Sequence, residues 1–122
     1  MKIFILEDDP NRMKTFKKAL SGHSIDHATN CEEGRTIVSS NTYDLIFLDH
    51  DLGGEQMVDS SHENTGYQLA KFMKENGYNT EVPCIVHSCN PDGADNIASL
   101  LCHAVKIPFP FIDFIKVLSY FG

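Results

Sequence analysis

Short apolar runs alternate with helix-length amphipathic stretches along the whole chain, and no other feature constrains the fold as much. Lys2–Leu6, Ser24–Ala28, Asp44–Leu48, Val82–Val86 and Ala104–Ile107 read as strands. Between them, Met13, Phe16 and Leu20 stripe one helix, and Leu69, Phe72 and Met73 stripe another. The boundary residues agree. Asp9 before Pro10, Asn30 before Glu32 and Glu33, Asn64 or Thr65, and Asn90 before Pro91 are N-cap signals, while Gly22 and Gly77 are stops. A last helix is expected over roughly 111–120. Five strand–helix units with no internal repeat imply parallel strands joined by right-handed crossovers. The expected fold is an α/β, doubly wound, five-stranded sheet in a single domain spanning 1–122, with Asp44–Leu48 at its centre.

The net charge of −7 argues against a nucleic-acid backbone or an anionic membrane as partner, and Lys14, Lys17 and Lys18 form the only basic cluster. The chain starts directly in the strand-like run KIFIL, so no secretory leader is expected, and no run reaches membrane-spanning length. The four cysteines lack CxxC spacing and read as reduced thiols of a cytoplasmic protein.

In a doubly wound sheet, ligands bind beyond the carboxyl ends of the strands. Those ends carry Glu7, Asp8 and Asp9, then Asp49, His50 and Asp51, then His87, Ser88 and Asn90, with Lys106 in the last strand. Carboxylates gathered this closely repel one another, and a hard divalent cation resolves the conflict; oxygen ligands suit Mg²⁺, or Mn²⁺ in its place. Asp9 is better explained as a helix cap. Asp51 has three readings: metal ligand, general base, or turn former before Gly53. His50 and His87, at adjacent strand ends, would supply a general acid and a general base near neutral pH. Strand alternation opposes this for His87, because a strand that points Ser88 into the site starts His87 in the other direction.

These segments resemble the receiver domain of two-component response regulators over nearly the whole chain. IFILEDDP is similar to the receiver's first strand and its Mg²⁺-holding acidic pair, which fall on Glu7 and Asp8. YDLIFLD resembles the strand ending in the phosphoacceptor, Asp49; VPCIVHS the strand ending in the phosphoryl-contacting hydroxyl, Ser88; and AVKIPF the segment bearing the phosphoryl-binding lysine, Lys106. The resemblance implies a flavodoxin-like (CheY-like) fold. Three features depart from it: His50-Asp51-Leu52-Gly53-Gly54 follows Asp49, the loop after it is long, and Ile107 separates Lys106 from Pro108. LDHDLGG, NTGYQLAKFM and IVHSCNPDGADN are similar to the signature motifs of a divergent branch, the cyclic-phosphate-processing receiver family.

Three functions stay open at this level. The first is a stand-alone receiver in a phosphorelay, phosphorylated on Asp49 by a phosphodonor kinase, with no output domain after Gly122. The second is a metal-dependent phosphoesterase acting on a small, perhaps cyclic, phosphate ester through Asp49, His50, Asp51, His87, Ser88 and Lys106, with Glu7, Asp8, Asp49 and Asp51 as metal ligands. The third is a receiver-derived binding module without turnover. A homodimer through the C-terminal strand–helix face is a further expectation, and loop 55–64 is placed to act as a lid.

Overall fold

The computed structural model describes residues 1–121. Five strands, β1 (Lys2–Leu6), β2 (Ser24–Ala28), β3 (Leu45–Leu48), β4 (Cys84–Val86) and β5 (Ala104–Lys106), form one parallel sheet in the order β2-β1-β3-β4-β5. The helices are α1 (Pro10–Ala19), α2 (Cys31–Ser40), α3 (Gly66–Asn76), α4 (Pro91–Leu100) and α5 (Phe114–Phe121). The C-terminal segment begins with a short 3₁₀ turn, Phe109–Phe111, so α5 starts three residues later than the sequence reading placed it.

The caps explain where helices begin. Asp9, Asn30, Thr65 and Asn90 each accept a hydrogen bond from a backbone N–H of the first turn, and Gly77 closes α3 in the left-handed region at φ +71°. Every residue of β3 is buried, as expected for a central strand covered on both faces.

The two faces have separate cores. Phe4, Leu6, Ile46, Leu48 and Val86 pack with α3 and α4 residues such as Leu69, Met73 and Ile97. Ile3, Ile5, Leu45, Phe47 and Ile85 pack with Met13 and Phe16 of α1 and Val117 of α5. This division places the site. Leu6, Leu48 and Val86 lie side by side in register. One step further along each strand, Glu7, Asp49 and His87 therefore form a row on the α1/α5 face.

Among the described residues no helix is long and apolar enough to cross a membrane.

Candidate functional site

The row brings together residues from three distant parts of the chain. Carboxylate oxygens of Glu7 and Asp49 and a ring nitrogen of His87 all lie within 4.8 Å of one another, and all three residues are buried. His87 Nε2 sits 3.0 Å from Glu7 Oε1, while its Nδ1 is buried with no partner. The rings of Phe16, Phe47 and Phe109 surround the imidazole. Burial lowers the His87 pKa against the opposing pull of Glu7, so the neutral ring donates its Nε2–H to the carboxylate. The alternation argument thus holds for direction: His87 leaves the sheet on the face opposite the α3/α4 core. It reaches the acidic cluster because Glu7 and Asp49 leave on that same face.

Burial would raise the Glu7 pKa, but the His87 hydrogen bond, the Asp9 amide and Arg12 together hold it below the usual value. Asp49 goes the other way. Burial, then the charge of Glu7, push it up to about 8, despite the hydrogen bond it accepts from the His50 N–H and the nearby Arg12. Asp49 Oδ1 takes that amide bond at 2.8 Å, and Oδ2 lies beside Arg12.

Above the row opens a cleft of about 400 Å³ lined by Asp8, Asp49, Asp51, Met57, Ser88 and Asn90, among others. Asp8 contributes one carboxylate to its rim and accepts the Gly54 N–H with Oδ2 at 2.8 Å. Ser88 Oγ accepts the Asn90 N–H at 3.0 Å, a bond that leaves its own proton free to donate.

His50 and Asp51 do something different. His50 points to the opposite face from Asp49 and is fully buried beneath α4. A Cβ on Gly93 would lie 2.3 Å from its ring. Nδ1 pairs with Asp51 Oδ1 at 2.8 Å, and Nε2 meets Ser60 Oγ at 2.9 Å. The carboxylate of Asp51 is filled by the long loop: Oδ2 accepts the Met57 N–H at 2.6 Å, and Oδ1 accepts from Val58 N–H and Asn90 Nδ2. Its pKa falls below the usual range because the bonds from Asn90, His50, Met57 and Val58 outweigh burial. Asn90 Nδ2 also reaches the Val58 carbonyl, and Gln68 Nε2 reaches that of Ser60. Asp51 thus ties down the long loop through the Met57 and Val58 amides, six and seven residues on, which is not the turn before Gly53 expected from the sequence. Gly66 belongs to the same lock, since a Cβ there would lie 1.7 Å from the Asp49 carbonyl oxygen.

The structure does not bring Lys106 into the cleft. Lys106 is the register partner of Val86, so its side chain leaves on the α4 face and pairs with Asp95. The next residue, Ile107, takes the position level with the row and packs in the α1/α5 core. One inserted residue before the proline exchanges the two faces. The cation at the row is instead Arg12 of α1, whose Nη1 lies 3.7 Å from both Glu7 Oε1 and Asp49 Oδ2. Sequence reading missed it, because an arginine in the first turn of an amphipathic helix looks like any solvated charge.

The donor set fits a divalent cation. Two buried carboxylates side by side, one with a strongly raised pKa, are what a cation would relieve. Glu7, Asp49 and Asp8 would hold it, and it would supply charge neutralisation and Lewis acidity toward phosphoryl oxygens.

The comparisons agree with this geometry. Residues 1–103 match the model of the family described as "Cyclic-phosphate processing Receiver domain". No curated protein matches. Solved structures do. The response regulator TrrA of Thermotoga maritima, in complex with Mg²⁺-BeF, has 22% identity and a TM-score of 0.71, covering 99% of this chain and 98% of its own. A receiver domain from Methylobacillus flagellatus has 19% identity and a TM-score of 0.73, covering 100% and 98%. A two-component response regulator from Clostridium difficile has 24% identity and a TM-score of 0.71, covering 98% and 91%. At these identities the structures speak for the fold. The family match covers most of the sequence: the chain belongs to the cyclic-phosphate processing receiver domain family and has the fold of a receiver domain.

Proposed function

We propose that the row is a metal-dependent phosphoryl site with Asp49 as acceptor. The observation that carries this reading is the placement of Asp49. Its carboxylate is buried between Glu7 and His87, pushed up to about 8 by burial and by Glu7, and lines the cleft. A divalent cation, bound by Glu7, Asp8 and Asp49, would bring the acceptor back to its ionised, nucleophilic form and offset charge on the phosphoryl oxygens. Asp49 Oδ2 forms the new bond to phosphorus as the bond from phosphorus to the leaving oxygen breaks, giving an acyl phosphate. Oδ1 stays anchored on the His50 N–H. Ser88 donates its hydroxyl proton to the transferred group. The Mg²⁺-BeF complex of the Thermotoga maritima response regulator supports the metal by likeness of fold. Incubation with Mg²⁺ and acetyl phosphate tests the reading. The expected result is a mass gain of one phosphoryl group in the wild type and none in Asp49→Asn; no gain in the wild type overturns it.

A second reading, hydrolysis of a cyclic phosphate ester, is favoured by the family description and by a cleft larger than a phosphoryl group requires. His50 would not serve as its acid or base, since both ring nitrogens are engaged by Asp51 and Ser60; of the row, Asp49 is the residue that lines the cleft. Turnover of a 2′,3′-cyclic nucleotide without any adduct on Asp49 would select it. For partner contact, the expected homodimer face falls on Val105, Ile115 and Tyr120, which are large, apolar and exposed.

A further inference from the structure

We propose that Arg12 is the cation that binds the transferring phosphoryl group, the part that the receiver resemblance implied for Lys106. This rests on the reading of Asp49 as the acceptor.

The sheet itself excludes a lysine from this position. Across the row the residues are Glu7, Asp49 and His87, and the fourth position, on the β5 side, is Ile107, packed in the core. Lys106 is on the far face, tied to Asp95. A phosphoryl group on Asp49 Oδ2 would therefore have to find its fixed positive charge elsewhere. Arg12 reaches that oxygen from α1, directly over the row.

Three observations fit Arg12 to the task. Its contacts with Glu7 and Asp49 are both 3.7 Å, ion-pair distance but longer than a hydrogen bond. Among the described residues the guanidinium makes no hydrogen bond, so its five N–H donors remain for phosphoryl oxygens in the paired geometry that arginine offers. The group is also positioned. It lies over the Phe109 ring, 5.3 Å from the centroid, and the Arg12 N–H joins that of Asn11 on the Asp9 cap, fixing the first turn of α1. Finally, the charges suit the sequence of events. With Asp49 ionised, Glu7, Asp49 and Arg12 together carry one net negative charge, which a divalent cation would offset. With the cation bound the cluster turns net positive, which attracts a phosphoryl donor.

The test compares Arg12→Ala, Arg12→Lys and Lys106→Ala with the wild type in Mg²⁺ and acetyl phosphate. Adduct formation is followed by intact mass, Mn²⁺ affinity by titration, and folding by the urea midpoint. Arg12→Ala is expected to slow adduct formation by about 10²-fold, the scale for losing one preorganised donor to transition-state charge. Its Mn²⁺ affinity is expected to be equal or tighter, because a neighbouring positive charge has gone. Arg12→Lys should restore part of the rate, and it carries the comparison if the alanine variant folds poorly. Lys106→Ala should react like the wild type. Wild-type rates in both Arg12 variants, a loss in Lys106→Ala instead, or a loss of Mn²⁺ binding in Arg12→Ala that accounts for the slower rate would each overturn the assignment. No adduct on the wild type would instead overturn the phosphoacceptor reading, and this assignment with it.

Discussion

Asp49 and His50 are neighbours in sequence, yet their side chains leave β3 on opposite faces of the sheet and serve different ends. Asp49 enters the acidic row with Glu7 and His87, while His50 is buried under α4 and braces Asp51 and Ser60. The LDHDLGG segment therefore combines a buried carboxylate of the acidic row with the first stitches of a loop lock.

If like-charge crowding sets the character of the row, Asp49→Asn should make the metal-free protein more stable. At pH 8 in a chelator its melting temperature is expected to rise by about 3–8 °C, corresponding to roughly 1–2 kcal/mol for a domain of this size. Adding Mg²⁺ should raise the wild-type melting temperature and leave the variant unmoved.

The pH dependence follows with a definite sign. Asp49 holds its proton in the folded state up to about 8 and releases it near 3.8 when unfolded. Its contribution to stability is thus present below the unfolded value and is lost as pH rises through the folded one. His87, lowered from 6.5 by burial, gives the opposite slope below that value. Between about 6.5 and about 8 the metal-free wild type should therefore lose on the order of 1–2 kcal/mol, and Asp49→Asn should be flat. Denaturant midpoints at four pH values would measure this.

Asp51→Asn tests the lock. An asparagine cannot accept from every donor that now faces the carboxylate, so the Met57 and Val58 amides should lose hydrogen-exchange protection. Protection in β3 should persist. Equal loss in both regions would show that Asp51 supports the whole fold rather than the loop.

Gly66 and Gly93 should tolerate no side chain. A Cβ would meet the Asp49 carbonyl oxygen in one case and the His50 ring in the other. Gly66→Ala in particular should cost about 3 kcal/mol or more, because the obstacle is backbone. Gly54→Ala has space but a left-handed φ of +80°, so its cost should be smaller, about 1 kcal/mol. Urea unfolding ranks the three.

The architecture was legible because it is written in local signals. β1 and β2 span the residues expected, and Asp9, Asn30 and Asn90 cap the helices they were expected to cap. The site was legible as far as it depends on strand ends, which bring Glu7, Asp49 and His87 together. The placement of Lys106 was not legible because a single residue decides which face it leaves by, and the motif alone does not show the register. The bonds of His50 and Asp51 were not legible because their partners, Ser60, Met57 and Val58, lie in a loop with no periodic pattern. That loop is held by side-chain bonds to backbone groups, which leave no trace in hydropathy. Arg12 went unseen because its importance comes from the sheet beneath α1 and not from its neighbours in sequence.

The central claim is that Asp49, supported by Glu7 and a divalent cation, receives a phosphoryl group in the cleft. Beryllofluoride imitates that group without chemistry, so ¹⁹F resonance of the protein with Mg²⁺ and beryllofluoride tests it most directly. Bound fluoride signals should appear in the wild type, depend on Mg²⁺ and be absent in Asp49→Asn. A wild type without bound signals, or signals that persist in Asp49→Asn, would contradict the account.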